Sequence, residues 1–255
     1  MRFASLGSGS QGNALVVEAG GSRLLLDCGF GLAATETRLA RLGLRPADLD
    51  AIVVTHEHDD HIGGVAKLAR RHGIPVWITP GTLRGFEALF AEVAEVHLIH
   101  NYAAFAVGDL QVRPFPVPHD AREPAQYVFG DGSRRLGVLT DAGCATRHIE
   151  DMLSGCDALV LECNHDAQML QESSYPRSLR ERIAGRFGHL DNTAAAQLLG
   201  RLDNGRLKHL VAAHLSKENN RPEIARAALA AVLGCAPEWI AVADQEEGLG
   251  WREID

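Results

Sequence analysis

Thr55-His56-Glu57-His58-Asp59-Asp60-His61 sets three histidines and three acids within seven residues. Ahead of it runs Ala51-Ile52-Val53-Val54, an apolar, β-branched stretch that reads as a buried strand. Behind it, Ile62-Gly63-Gly64-Val65 opens a helical pattern through Leu68 and Ala69. A strand therefore delivers imidazoles and carboxylates into the turn before a helix. Such groups are costly to bury unless something satisfies them, and a divalent cation satisfies several neutral imidazoles and a carboxylate together. Strand alternation aims His56 and His58 the same way, and the helix start re-aims Asp60 and His61. The spacing supplies one pair of ligands for each of two ions, which a merely polar, histidine-rich loop has no reason to do.

Other strand ends carry residues of the same chemistry. Leu24-Leu25-Leu26-Asp27 closes a buried strand with an acid, read either as a carboxylate that orients metal-bound histidines from behind or as a turn acid. Pro114-Phe115-Pro116-Val117-Pro118 stiffens the chain just before His119. Thr140-Asp141-Ala142-Gly143 again ends a strand in an acid, placed to bridge two metals or to cap a helix over 146–153. Leu210–Ala213 runs into His214. The loop Gly7-Ser8-Gly9-Ser10-Gln11-Gly12-Asn13 lies between two strands and reads as an anion-facing backbone or a flexible turn.

The intervening pattern alternates strands with helices at about 32–43, 62–72, 82–90, 146–153, 176–187, 191–201 and 222–233, with a polar loop at 167–174 and closing strands at Trp239–Val242 and Leu249–Glu253. His72, ahead of Gly73, reads as a helix cap. No linker divides the chain, so residues 1–255 are expected to form one domain of two facing sheets with helices outside.

Composition sets limits. A 46% hydrophobic, 23% charged chain is ordinary for a globular protein, and no apolar run reaches the length of a membrane span. The N-terminus breaks at Gly7 before it could serve as a signal peptide. The five cysteines are scattered, with no C-x-x-C pair, which points to a reducing cytoplasm rather than a disulfide scaffold or zinc ribbon. A net charge of −8 opposes broad nonspecific contact with nucleic acid while leaving room for a local positive cleft.

Collected, His56, His58, Asp60, His61, His119, Asp141 and His214 are too many ligands for one tetrahedral ion. They divide as His56, His58 and His119 on one metal and Asp60, His61 and His214 on another, with Asp141 bridging. Five imidazoles and two carboxylates suit zinc, manganese or iron. Two such ions can share a bridging hydroxide near neutral pH and favour an anionic substrate such as a phosphodiester.

The order H-x-H-x-D-H, lone His, Asp, His resembles the metallo-β-lactamase superfamily over essentially the whole chain. That resemblance implies an α/β fold, a four-layer αββα sandwich with a dinuclear site between the sheets. It also implies that Asp27 is the strand-end acid behind the histidine motif. Aspartate at 141 and histidine at 58 point away from the antibiotic-hydrolysing and oxygen-reducing branches. Five blocks carry a closer likeness: the 7–13 loop, Thr140-Asp141-Ala142-Gly143, Glu162-Cys163-Asn164-His165-Asp166, Gly188-His189-Leu190-Asp191-Asn192, and His214-Leu215-Ser216-Lys217-Glu218-Asn219-Asn220. Together they resemble the YycJ/WalJ-type subfamily, which implies a cytoplasmic metallohydrolase acting as a 5′-to-3′ exonuclease on double-stranded DNA with two zinc or manganese ions. On that reading Asp60, His189 and His165 are catalytic, either histidine donating a proton to the leaving alkoxide or binding a phosphate oxygen. Ser8, Ser10, Asn13, Lys217 and Asn219 are then expected to touch the substrate. Arg177, Arg180, Arg182 and Arg186 of the 176–187 helix read by default as a solvated face, with a phosphate track as the alternative.

Two other classes compete. One is a small-molecule metallohydrolase of cyclic phosphates or lactones. The other is a regulatory module with an idle metal site, which the full ligand set opposes.

Overall fold

The computed structural model describes residues 1–255. Its first sheet takes β1 (Arg2–Gly7), β2 (Ala14–Ala19), β3 (Ser22–Leu26), β4 (Ala51–Val53), β5 (Val76–Ile78) and β6 (Val96–Leu98), neighbours in space as in sequence. The second takes β7 (Phe105–Val107), β8 (Leu110–Pro116), β9 (Ala125–Gly130), β10 (Arg135–Leu139), β11 (Ala158–Glu162), β12 (His209–Ala213) and β13 (Ala241–Val242), also in order. β14 (Leu249–Glu253) returns to the first sheet and pairs antiparallel with β1. Each sheet begins as an antiparallel meander and turns parallel, from β3 to β6 in the first and from β10 to β13 in the second.

Period-two alternation builds the layers. Leu24 and Leu26 point between the sheets, where they meet Val112, Tyr127 and Val160. Leu25 and Ile52 point the other way, onto α1 (Leu32–Arg41) and, beyond the helical turn α2 (Asp59–Ile62), α3 (Val65–His72), through Leu39 and Leu68. Two further helical turns, α4 (Pro80–Leu83) and α5 (Glu87–Phe90), flank the same sheet. The second sheet is covered by α6 (Arg147–Leu153), and, after α7 (Ala167–Glu172) and α8 (Arg177–Ile183), by α9 (Asn192–Arg201) and α10 (Pro222–Leu233), through Ile149, Leu198 and Leu229. The order helix, sheet, sheet, helix is the αββα sandwich.

The structure departs from the sequence reading in several places. Residues 167–174 are not all loop: α7 forms because Asp166 caps it, accepting from the Met169 amide at 2.9 Å, and its polar Gln residues hide a good helix former. The single helix over 82–90 is instead two turns, split where Gly85 takes a φ of 89°. The helix over 176–187 ends at Ile183, ahead of Gly185 and Gly188. Trp239 lies in a 3₁₀ turn, not a strand. His72 ties α3 to α1 by an Nε2–Glu36 contact of 2.9 Å instead of capping its own helix. Thr146, not Asp141, caps α6.

One buried bond couples the two sheets next to the histidine motif. The Tyr127 hydroxyl on β9 donates to the Val54 carbonyl at 2.6 Å, and Tyr127 is fully buried. Tyr127→Phe leaves that carbonyl unmet and is expected to lower unfolding free energy by about 1–3 kcal/mol in urea titration, with m unchanged.

Candidate metal centre

The parallel strands β3, β4, β10, β11 and β12 all end at one edge of the sandwich, the edge where open α/β sheets commonly bind ligands. Their C-terminal ends carry Asp27, the Thr55–His61 loop, Asp141, Glu162 and His214. Asp27, Asp141 and His214 adopt φ of 60°, 51° and 55° and are the non-glycine residues with positive φ. This backbone strain, about 1–3 kcal/mol each, sits where side chains are turned out of the strand direction into a shared site. Gly29, just past Asp27, is required by contact: a Cβ there would lie 1.9 Å from the Asp60 carbonyl oxygen.

The first cluster is three imidazoles. β4 stops at Val53, so His56 and His58 sit on the loop after it rather than on the strand, yet they still converge. His56 Nε2 lies 3.0 Å from His58 Nδ1, and His119 Nε2 lies 3.2 Å from that same atom. The partners behind the rings set the tautomers. His119 Nδ1 donates to the Gly188 carbonyl at 3.1 Å, so its Nε2 carries a lone pair. Thr55 Oγ1 donates to Asp27 at 2.8 Å and therefore accepts from His56 Nδ1 at 2.9 Å, leaving His56 Nε2 bare as well. Burial, ahead of the neighbouring charges, lowers the pKa of both His56 and His119, keeping them neutral. His58 Nδ1 can donate to only one of two facing lone pairs. A cation at the centre satisfies all three.

The second cluster adds carboxylates. His61 Nδ1 donates to Asp27 Oδ2 at 2.7 Å, while its Nε2 faces Asp141 Oδ2 at 2.9 Å and Asp60 Oδ2 at 3.4 Å. His214 Nε2 lies 3.3 Å from Asp60 Oδ2 and 3.6 Å from Asp141 Oδ1. Asp60, His61 and His214 form a set with the spacing of metal ligands, as do His56, His58 and His119. Asp141 reaches both sets, with Oδ1 3.9 Å from His119 Nε2. Its Oδ2 is buried without a hydrogen-bond partner, an expensive arrangement that a divalent cation resolves. The residues present therefore fit metal ions.

Glu162 belongs to this centre and sequence reasoning passed over it. It is a strand-end acid like Asp27, and that position was its one available signal. Fully buried, it accepts from the Ala142 amide at 2.9 Å and contacts His189 Nδ1 at 2.8 Å and His214 Nδ1 at 3.6 Å. Burial works against its charge, but His189 and His214 hold its carboxyl down at about 2. The same contact, against burial, raises the His189 imidazole above its usual value.

The other expected site residues divide. His189 and Ser10 line a cleft of about 320 Å³ over the centre, together with Asp60, His58 and the pair Asp120 and Arg182, joined at 2.6 Å. Ser8 and Asn13 are spent inside the protein: Ser8 Oγ donates to Asn13 Oδ1 and accepts from the His214 amide, and Asn13 Nδ2 reaches Asp60 Oδ2 at 3.2 Å. Their loop is folded under Asp60, so they brace the centre and are not free for substrate. Lys217 is exposed, whereas Asn219 is buried. His165 stands outside the cluster. Asn164 turns toward His214 at 3.2 Å, and the next side chain faces away into a different cavity with Arg177 and Arg180.

A family model described as a beta-lactamase superfamily domain matches residues 22–214. The chain is similar to Exodeoxyribonuclease YycJ of Bacillus anthracis, with 36% identity over 91% of this chain and 89% of that protein. It is also similar to Exodeoxyribonuclease WalJ of Streptococcus pneumoniae, with 34% identity over 88% and 85%. Among solved structures, the metallo-beta-lactamase fold protein YhfI of Bacillus subtilis superposes with a TM-score of 0.76 at 17% identity, covering 98% of each chain. Zn(2+)-bound PqqB of Methylobacterium extorquens superposes with a TM-score of 0.72 at 18% identity over the full length of both. These two likenesses are of fold.

Without a cation the second cluster must hold protons. Burial opposes it, but Asp141, Asp60 and Glu162 push His214 from 6.5 up to about 10, and Asp141, Asp27 and Asp60 raise His61 likewise. A group raised on folding contributes stability that is fully present below its unfolded pKa and is lost as pH rises through the folded one. The chelated protein is thus expected to lose roughly 5 °C or more in Tm between pH 7 and 9.5. The zinc-loaded protein, whose imidazoles are already neutral, keeps its Tm. Equal behaviour of the two forms in a thermal melt would contradict this.

Proposed function

The chain belongs to the beta-lactamase superfamily, and from that membership we propose that it is a dinuclear-metal phosphodiester hydrolase, a 5′-to-3′ exonuclease on double-stranded DNA. The observation that carries the reading is Asp141, whose carboxylate stands between two separate three-residue ligand sets. The relatives that align along nearly the whole chain bear the name exodeoxyribonuclease, which supports the substrate class. His56, His58 and His119 would hold one ion, Asp60, His61 and His214 the other, and the mixed nitrogen and oxygen donors suit zinc or manganese. Bound there, the ions would supply an acidified water as nucleophile and would neutralise phosphate oxygens.

The chain's own groups do the rest. Burial opposes the charge on Asp60, but His61 and His214 keep it ionised well below the usual carboxylate range, so it accepts a hydrogen bond from the attacking water and orients it. His189 has Nδ1 held by Glu162, which turns its Nε2 to the cleft. Raised by that carboxylate, it carries the proton that the leaving alkoxide takes up, a task we assign to His189 and not to His165. Asp27, Gly188 and Thr55 orient the ligand imidazoles from behind. Arg182, steadied by Asp120, and Ser10 face the phosphate path, with Lys217 exposed beyond His214. Arg182, with two divalent ions held by these ligands, would reverse the local sign of a chain whose net charge is −8. Five free cysteines fit a cytoplasmic setting, and no helix is long and apolar enough to cross a membrane.

The test is cleavage of end-labelled duplex DNA, single-stranded DNA, RNA and bis-p-nitrophenyl phosphate by metal-loaded protein. Mononucleotide release from the 5′ end of duplex is expected, lost in Asp60→Ala. His189→Gln is expected to lower kcat about 10²–10⁴-fold with metal content unchanged. Cleavage of the small diester without any polymer would instead favour a small-molecule hydrolase.

A further inference from the structure

At the far end of β10 from Asp141, about 20 Å away at the strand rise per residue, arginines surround a second cavity, of about 470 Å³. Strand register builds it. Gln111, Gly130 and Arg135 stand in one row across β8, β9 and β10, and Arg113 stands opposite Val128 in the next row on the same face. Val128 packs against the α6 side of the sheet, so this face looks outward. Gly130, lacking a side chain, leaves the floor open, and Arg134 and Arg206 close the rim.

The charges there do not balance. Arg206 grips Asp157 at 3.0 Å and donates to the Ser133 carbonyl, and Arg134 lies 3.6 Å from Asp157. Arg135 donates to the Ser154 and Met152 carbonyls at the end of α6, which leaves its charge uncancelled. Arg113 makes neither an ion pair nor a hydrogen bond, although it shares the cavity. Asp151, also at the rim, is held by Arg147 at 3.0 Å. Four guanidinium groups therefore stand against two carboxylates, Asp157 buried behind them and Asp151 at the rim, the latter shared with Arg147, in a chain whose net charge is −8. Crowded like charges in a concavity attract a multivalent anion. The volume matches a small ligand, not a duplex. Phe129, the one ring among the lining residues, belongs to the core between the sheets, so nothing is placed to stack a base.

We propose that this cavity binds a compact oligophosphate, free or as the phosphate tail of a nucleotide, through Arg113, Arg134, Arg135 and Arg206 with Gln111 as a neutral donor. Arg113 is the discriminating residue, because it braces nothing in the fold. The experiment is calorimetric titration of metal-loaded protein with inorganic tripolyphosphate, ATP and a short DNA duplex, all in excess Mg²⁺ to mask chelation. Tripolyphosphate is expected to bind, and Arg113→Gln to weaken it about tenfold or more, with Tm and cleavage of bis-p-nitrophenyl phosphate unchanged. Equal affinity for ATP assigns the phosphate chain alone as ligand, and tighter ATP assigns a nucleotide; both support the site. No binding, or the same affinity in Arg113→Gln, overturns it. A loss of duplex affinity without a loss for tripolyphosphate also overturns it, by giving the patch to the DNA backbone.

Discussion

Asp141 is a buried carboxylate placed among imidazoles, and the rest of the centre is arranged around making that tolerable. One of its oxygens lies 2.9 Å from His61 Nε2 and finds no hydrogen-bond donor. The other faces His119, His189 and His214. An uncompensated carboxylate in such a place costs several kcal/mol. Positive charge must be supplied, by protons on His61 and His214 or by metal ions that leave those rings neutral. The left-handed backbone at Asp27, Asp141 and His214 is a further cost accepted at the same spot.

The architecture converts this local demand into a site. Parallel strands of two facing sheets end together, so each sheet contributes a strand-end acid behind a histidine. Asp27 holds His61 from the first sheet, and Glu162 contacts His189 and His214 from the second. Each acid also takes a backbone amide, Thr55 for Asp27 and Ala142 for Glu162, which ties the orientation of the rings to strand geometry. Ring positions are thereby set by some of the most buried parts of the molecule. The cleft above them is left to α8 and the loop around His189.

How much of this was legible in the sequence follows from distance along the chain. His56, His58, Asp60 and His61 are neighbours in sequence, so one stretch shows their chemistry. His119, Asp141 and His214 are readable only as acids or histidines at strand ends, and the family resemblance gives them their order. Glu162 was missed because its partners, His189 and His214, are far away in sequence and it closes an otherwise apolar strand. The burial of Ser8 and Asn13 was not legible, because a glycine-rich loop looks exposed until the fold tucks it beneath Asp60. The placement of His165 beside a different cavity was not legible, because the turn direction after Asn164 is a tertiary property. The polar helix α7 and the break at Gly85 depended on a cap and a single backbone angle, neither of which periodicity reports.

The central claim, two ion sites joined by Asp141, is tested most directly by counting metal. Inductively coupled plasma mass spectrometry on zinc-loaded protein should find about two ions per wild-type chain. His58→Ala and His214→Ala, each removing a ligand from a different set, should each retain about one. A single ion in the wild type, or variants that both lose all metal or none, would contradict the account.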